Sequence, residues 1–334
     1  MDSSSWKAYG KIDPELEAMV PNMPNSTLGD YPDVPSLRQG VMDQVMEGIK
    51  AGIFSIPDLG GIRKEEIHIP ARDGYSIRAL HYRSEGGETG PVVVLFHGGG
   101  WVFGMPEMFE KHVVWLCKEL GFVVVAVEYR KAPEDIFPTA ANDAVDAVNW
   151  VGQNAAKLGA EPFKGFIVGG SSAGANLTAV ATHEAADAKL SPPITGVWLQ
   201  VPCLVHSDAV PEQYKAHYNS YEEFKDAMVL DRKAMNLIYT DNYKPDPKSL
   251  LFNTLLRSGH KSQPPTYFQV CGMDPLRDEG LIYEYALRKD GVPTKLDIYP
   301  GIPHSGLDFM PFLSQSKKGV DDLKSGFQWL LSKK

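Results

Sequence analysis

Cysteine is scarce. Cys117, Cys203 and Cys271 are the three thiols in 334 residues, too few and too widely spaced for a zinc pattern or a disulfide framework, so they read as reduced and buried. Long apolar runs are missing too, and none approaches the length needed to span a bilayer. The opening stretch MDSSSWKAYG lacks a basic segment and an apolar core, so the expected location is cytoplasmic. Basic clusters are also absent. Lys and Arg number 33 against 42 Asp and Glu, and the net charge of -9 excludes nucleic acid and an anionic membrane as expected partners. A small molecule remains the expected ligand, and nothing in the sequence opposes a homodimer. Asn25-Ser26-Thr27 fits a glycosylation sequon, which without a signal peptide reads as a chance occurrence.

With 43% hydrophobic residues the chain can fill one large domain or two smaller ones. Prolines at 14, 21, 24, 32, 35 and 57 rule out a regular sheet before Gly61. Leu37, Val41, Val45 and Ile49 recur every four residues there and predict one apolar helical face, with Met42 and Met46 beside it. KEEIHIP and YSIRALHY flank Asp73-Gly74 and predict an antiparallel hairpin. From Pro91 short apolar runs alternate with helical stretches, the pattern of a mostly parallel sheet with helices on both faces. Strands are predicted at 92–96, 123–127, 165–168, 196–201, 267–270 and 295–299. The interval 203–263 breaks this rhythm and is rich in aromatics, so it is predicted to be a helical insertion.

FIVGGSSAGANL, residues 166–177, carries G-x-S-x-G with Ser172 at its centre, between a predicted strand and a predicted helix. A serine on so sharp a turn exposes its hydroxyl, and its neighbours two residues away come close enough that only Gly170 and Gly174 fit. A phosphate loop would need Lys and then Ser or Thr after Gly174. Ala175 and Asn176 stand there instead. A serine nucleophile needs a base and donors for the developing oxyanion. His97-Gly98-Gly99-Gly100 follows a strand and can supply such donors, so the oxyanion hole is assigned to the amides of Gly99, Gly100 and Ala173. His97 itself reads as structural, holding that loop by hydrogen bonds.

HGGGW at 97–101, EYRKAPEDIFP at 128–138, GSSAGANL at 170–177, GMDPLRDEG at 272–280 and GIPHSG at 301–306 together resemble the hormone-sensitive-lipase-like carboxylesterases of the α/β-hydrolase fold. A narrower similarity, carried by the overall run of the sequence, is to fungal hydrolases of secondary metabolism such as versiconal hemiacetal acetate esterases. The resemblance implies a triad of Ser172, Asp274 and His304. It also implies that residues 1–61 and the insertion at about 203–263 form a helical cap over a hydrolase domain spanning 62–334. The residues themselves agree, since Asp274 and His304 each follow a predicted strand, with Asp278 as a local rival expected to serve at a helix start or on the surface. Two departures stand out: Ser171 replaces the family's usual acidic residue, and Ser305-Gly306 replaces glycine and an aromatic after the base.

The expected function is that of a serine carboxylester hydrolase using neither metal nor organic cofactor. It would act on short-acyl esters of a bulky or aromatic alcohol, with Trp101 and Ser171 at the substrate. A non-catalytic receptor and a lyase on the same scaffold are the alternatives. Plant gibberellin receptors lack the histidine that stands here as His304, and some dehydratases of the superfamily carry a threonine where Ser172 stands.

Overall fold

A computed structural model describes residues 1–23, 27–87 and 89–333; Asn25 and Ser26 of the sequon, and Pro24, lie outside these. Eight strands form one sheet: β1 Ile62–Pro70, β2 Ser76–Ser84, β3 Val92–Phe96, β4 Val123–Val127, β5 Phe166–Ser171, β6 Gly196–Gln200, β7 Thr266–Met273 and β8 Thr294–Pro303. Their order is β1-β2-β4-β3-β5-β6-β7-β8. The β1/β2 hairpin turns where Asp73-Gly74 predicted it, β2 runs antiparallel to β4, and every pairing from β4 to β8 is parallel.

Alternation along the strands sorts the helices to two faces. Val92, Val94 and Phe96 of β3 pack with the helices Thr139–Asn154 and Ala173–Asp187. Val93 and Leu95 face the helices Glu110–Lys118 and Ser314–Ser332 on the other side. The chain therefore leaves β3 toward one face and β5 toward the other, although these strands are neighbours. A crevice opens above their carboxyl ends, the place where ligands settle in open parallel sheets.

Two regions depart from a simple reading. The insertion, predicted to be helical, holds short helical turns and one longer helical run, Arg232–Met235 continuing directly into Asn236–Tyr243. Tyr239 and Tyr243, one turn apart on that run, both pack on Trp101 of the oxyanion-side loop. The amino-terminal segment does two separate things. The helix Val34–Lys50 buries Leu37, half-buries Val41, Val45 and Ile49, and leaves Met42 and Met46 exposed. Residues 9–16 instead cross the carboxyl ends of β7 and β8. A Cβ on Gly272 would lie 2.1 Å from the Tyr9 carbonyl oxygen, the Asp13 amide donates to the Gly301 carbonyl at 3.3 Å, and Leu16 is fully buried among Ile302, Leu307 and Tyr299. Among the described residues no helix is long and apolar enough to cross a membrane. All three cysteines are free and buried, as expected.

Candidate active site

Ser172 stands between β5 and the Ala173–Asp187 helix at φ 54°, ψ -117°, a conformation that costs an L-residue strain. The two flanking glycines make it attainable. A Cβ on Gly174 would lie 1.9 Å from the Phe96 carbonyl oxygen, and one on Gly170 would lie 2.4 Å from the Gly174 backbone. The spacing in the sequence thus reports a backbone crossing against β3.

The half-buried Ser172 Oγ is 2.9 Å from His304 Nε2, and His304 Nδ1 is 2.8 Å from Asp274 Oδ2. Asp274 is buried, and its second oxygen accepts the Leu276 amide at 2.8 Å, which fixes the carboxylate plane. With Asp274 accepting at Nδ1, the imidazole carries its proton there and leaves Nε2 free to accept from the serine. The structure therefore brings the three predicted residues together, from β5, the turn after β7 and the turn after β8.

Gly99 at φ 113° and Gly100 at φ 58° turn the loop after β3 back toward Ser172. Among the described residues the Gly99 and Gly100 amides donate to no acceptor, and Ala173 opens its helix, where an amide has no intrahelical partner. His97 is fully buried, and desolvation pushes its pKa down to about 3. Its neutral ring lies 2.7 Å from the Gly98 carbonyl through Nδ1 and stacks on Tyr129, whose hydroxyl donates to the His97 carbonyl at 2.8 Å. This is the loop-holding role expected of His97.

Asp278 stands in the first turn of the helix Arg277–Lys289, one of the two places expected of it. It is buried rather than superficial: it accepts the Asn219 and Ser220 amides at 2.7 Å each and pairs with buried Arg277 at 2.8 Å. A carboxylate in a DPLRDE turn gives no sign that the backbone of residues 219–220 will dock on it.

A cavity of about 320 Å³ opens onto Ser172. Trp101 and Ser171 both border it. Trp101 is almost wholly buried and stacks on Tyr243 at 4.5 Å. Val45, Ile53 and Phe54 reach it from the amino-terminal segment, and Met235, Ile238 and Tyr239 from the insertion. Arg38, missed in the sequence, pins the amino-terminal helix to the site. It donates to the Val102 carbonyl at 2.7 Å and the Ala132 carbonyl at 2.9 Å, and grips Glu134 with both terminal nitrogens.

A family model described as the α/β-hydrolase fold matches residues 93–308. A versiconal hemiacetal acetate esterase of Dothistroma septosporum is 35% identical over 277 residues, covering 80% of this chain and 82% of its own. Among solved structures, vibralactone cyclase superposes with a TM-score of 0.89 at 31% identity, over 98% of this chain and 96% of its own. A bacterial heroin esterase superposes at 0.82 and 27% identity, over 97% and 99%.

Proposed function

The chain belongs to the α/β-hydrolase family and is a carboxylic ester hydrolase, and we propose that it works through an acyl-enzyme on Ser172. The observation that carries this reading is the unbroken hydrogen-bond relay from Ser172 through His304 to Asp274 at the floor of a capped cavity. Ser172 Oγ passes its proton to His304 Nε2 as it attacks the ester carbonyl. The carbonyl oxygen becomes an oxyanion held by the Gly99, Gly100 and Ala173 amides. His304 then returns the proton to the leaving alcohol while Asp274 stabilises the imidazolium. Water, deprotonated by the same nitrogen, releases the acid and restores the serine. A receptor needs no such relay, and a lyase needs no serine poised at 2.9 Å from its base.

Residues 1–61 and the insertion act as a cap in this reading, because side chains from both border the cavity. Its volume suits a small molecule, and the wall of Trp101, Ile238 and Tyr239 suits an apolar group. A Cβ on Gly100 would already lie 2.8 Å from Ile238, so the space beside the oxyanion loop is narrow. Acetyl to butyryl esters of a bulky or aromatic alcohol fit best, in line with the acetate ester named for the Dothistroma relative.

The test is organophosphate labelling with peptide mapping, paired with a p-nitrophenyl ester series of increasing acyl length. The label should sit on Ser172, Ser172→Ala should remove turnover without changing the unfolding midpoint, and rates should decline beyond butyryl. Labelling at Ser171, or turnover in Ser172→Ala within about tenfold of wild type, would overturn the mechanism.

A further inference from the structure

Two polar side chains at the floor of the cavity take no part in the catalytic relay. Ser171 closes β5 and Gln200 closes β6, and both border the cavity. They are register partners across the two strands, so their side chains leave the same face of the sheet from backbones about 4.8 Å apart. The Ser172 amide donates to the Gln200 carbonyl at 2.8 Å, which ties Gln200 to the backbone that carries the nucleophile. Ser171 is 8% exposed and Gln200 4%. Among the described residues neither the Ser171 hydroxyl nor the Gln200 carboxamide makes a hydrogen bond, and neither is sealed off by its neighbours. The little accessible surface they keep faces the cavity.

An apolar group pressed against this pair would strip it of water and leave a hydroxyl and an amide unpaired, at a cost of about 1–3 kcal/mol for each. A substrate oxygen repairs that. It can accept from Gln200 Nε2 and from Ser171 Oγ, and where it belongs to a hydroxyl it can also donate to Gln200 Oε1. The matching group is uncharged, because Ser171 and Gln200 are neutral and Lys111 of the cavity wall is taken by Asp308 at 2.7 Å and is not free to hold an anion. Ser171 and Ser172 are consecutive, with Cα atoms about 3.8 Å apart, so the oxygen would lie within a few bonds of the scissile carbonyl. We propose that Ser171 and Gln200 form a specificity point for a second, uncharged oxygen on the ester, a carbonyl or a hydroxyl. The serine matters here: an ionised acidic side chain at position 171 could only accept, whereas the hydroxyl can donate to a carbonyl.

This proposal rests on the acyl-enzyme reading above, and the experiment keeps the two apart. Two substrate pairs are compared, acetoxyacetone against isobutyl acetate and ethyl acetoacetate against ethyl isovalerate. In each a ketone oxygen takes the place of a methyl group, on the alcohol part in the first pair and on the acyl part in the second. The readout is the ratio of kcat/KM, ketone over alkyl, within one enzyme, so the intrinsic reactivity of the esters cancels when variants are compared. In at least one pair the ratio should fall about tenfold, or about 1.4 kcal/mol, in Gln200→Leu, and at least about threefold in Ser171→Ala. The pair that responds tells which part of the ester is read. A fall of less than about threefold in both pairs, in either variant, overturns the proposal. If thermal melts show that Gln200→Leu does not fold, Gln200→Met takes its place. Organophosphate labelling of Ser172 accompanies each measurement: a labelled, folded variant with unmoved ratios overturns this proposal alone, and a wild type that turns over none of the four esters overturns both readings.

Discussion

Asp274→Asn is the substitution whose effect the geometry specifies most closely. Asparagine has nearly the same shape, and its carbonyl oxygen can go on accepting the Leu276 amide that Asp274 Oδ1 accepts at 2.8 Å. The amide nitrogen then faces His304 Nδ1, where Asp274 Oδ2 stands at 2.8 Å. Two donors cannot share that line, so the imidazole must give up its Nδ1 proton and carry one on Nε2. That nitrogen then no longer accepts from Ser172 Oγ at 2.9 Å. The site keeps its shape and holds the wrong tautomer. A change of this kind costs about 10⁴ in kcat, or roughly 5.5 kcal/mol of barrier. Steady-state kinetics on p-nitrophenyl acetate should show this loss, while the urea unfolding midpoint stays within a few tenths of a molar of wild type. Asp278→Asn is the control. It removes one charge from a buried pair with Arg277 and weakens the hold on residues 219–220, so it should cost about 3–5 kcal/mol of stability. Turnover per titrated active site should change much less than in Asp274→Asn. The opposite ranking, turnover lost in Asp278→Asn and kept in Asp274→Asn, would refute the assignment of the acid.

Glu279 tests the electrostatics of the insertion. Burial raises its pKa from 4.5 to about 8, even though it accepts the Leu204 amide at 2.6 Å and the Val205 amide at 3.0 Å. The folded protein therefore holds a proton that the unfolded chain has lost, and the contribution of Glu279 to stability is fully present below pH 4.5 and is lost as pH rises through about 8. The full span is on the order of 5 kcal/mol. Glu279→Gln should remove that slope, and a wild-type-minus-variant difference that stays flat between pH 5 and 9 in urea titrations would refute it. Leu16→Ala empties a fully buried site in the cluster that seats the His304 turn. It should cost about 3–5 kcal/mol and lower kcat as well, whereas Met46→Ala, at a side chain 47% exposed, should do neither. Equal effects of the two in thermal melts and turnover would sink the distinction between these parts of the amino-terminal segment.

The relay was legible because its parts are written in backbone chemistry. Gly170 and Gly174 mark a steric crossing, and Asp274 and His304 each follow a strand whose apolar run is plain in the sequence. The sheet was legible for the same reason, with strand edges misplaced by a few residues, as where β5 runs on to Ser171 and β8 to Pro303. What escaped were contacts between residues far apart in the chain. Lys111 and Asp308 are 197 positions apart, Arg38 reaches to Ala132, and Asp278 holds residues 58 and 59 positions before it. None of these leaves a period or a spacing to read. The aromatics of the insertion were legible only as a group: Tyr239 and Tyr243 pack together on Trp101, whereas Tyr214 buries in a separate cluster with Val205 and Leu281, and nothing in the sequence sorts them.

The crossing of residues 9–16 over Gly272 and Gly301 has a bearing on how the chain is made. Translation delivers Ile12, Leu16 and Met19 well before the surface that covers them, which is built largely from β7, β8 and the residues up to Leu313. Until those residues emerge this apolar stretch lacks most of its native partners, and closing so long a loop of chain is slow compared with forming local structure. These two stretches meet late. Because the glycines they meet at precede Asp274 and His304, the acid and the base take their final seats only when residues 9–16 are put in place.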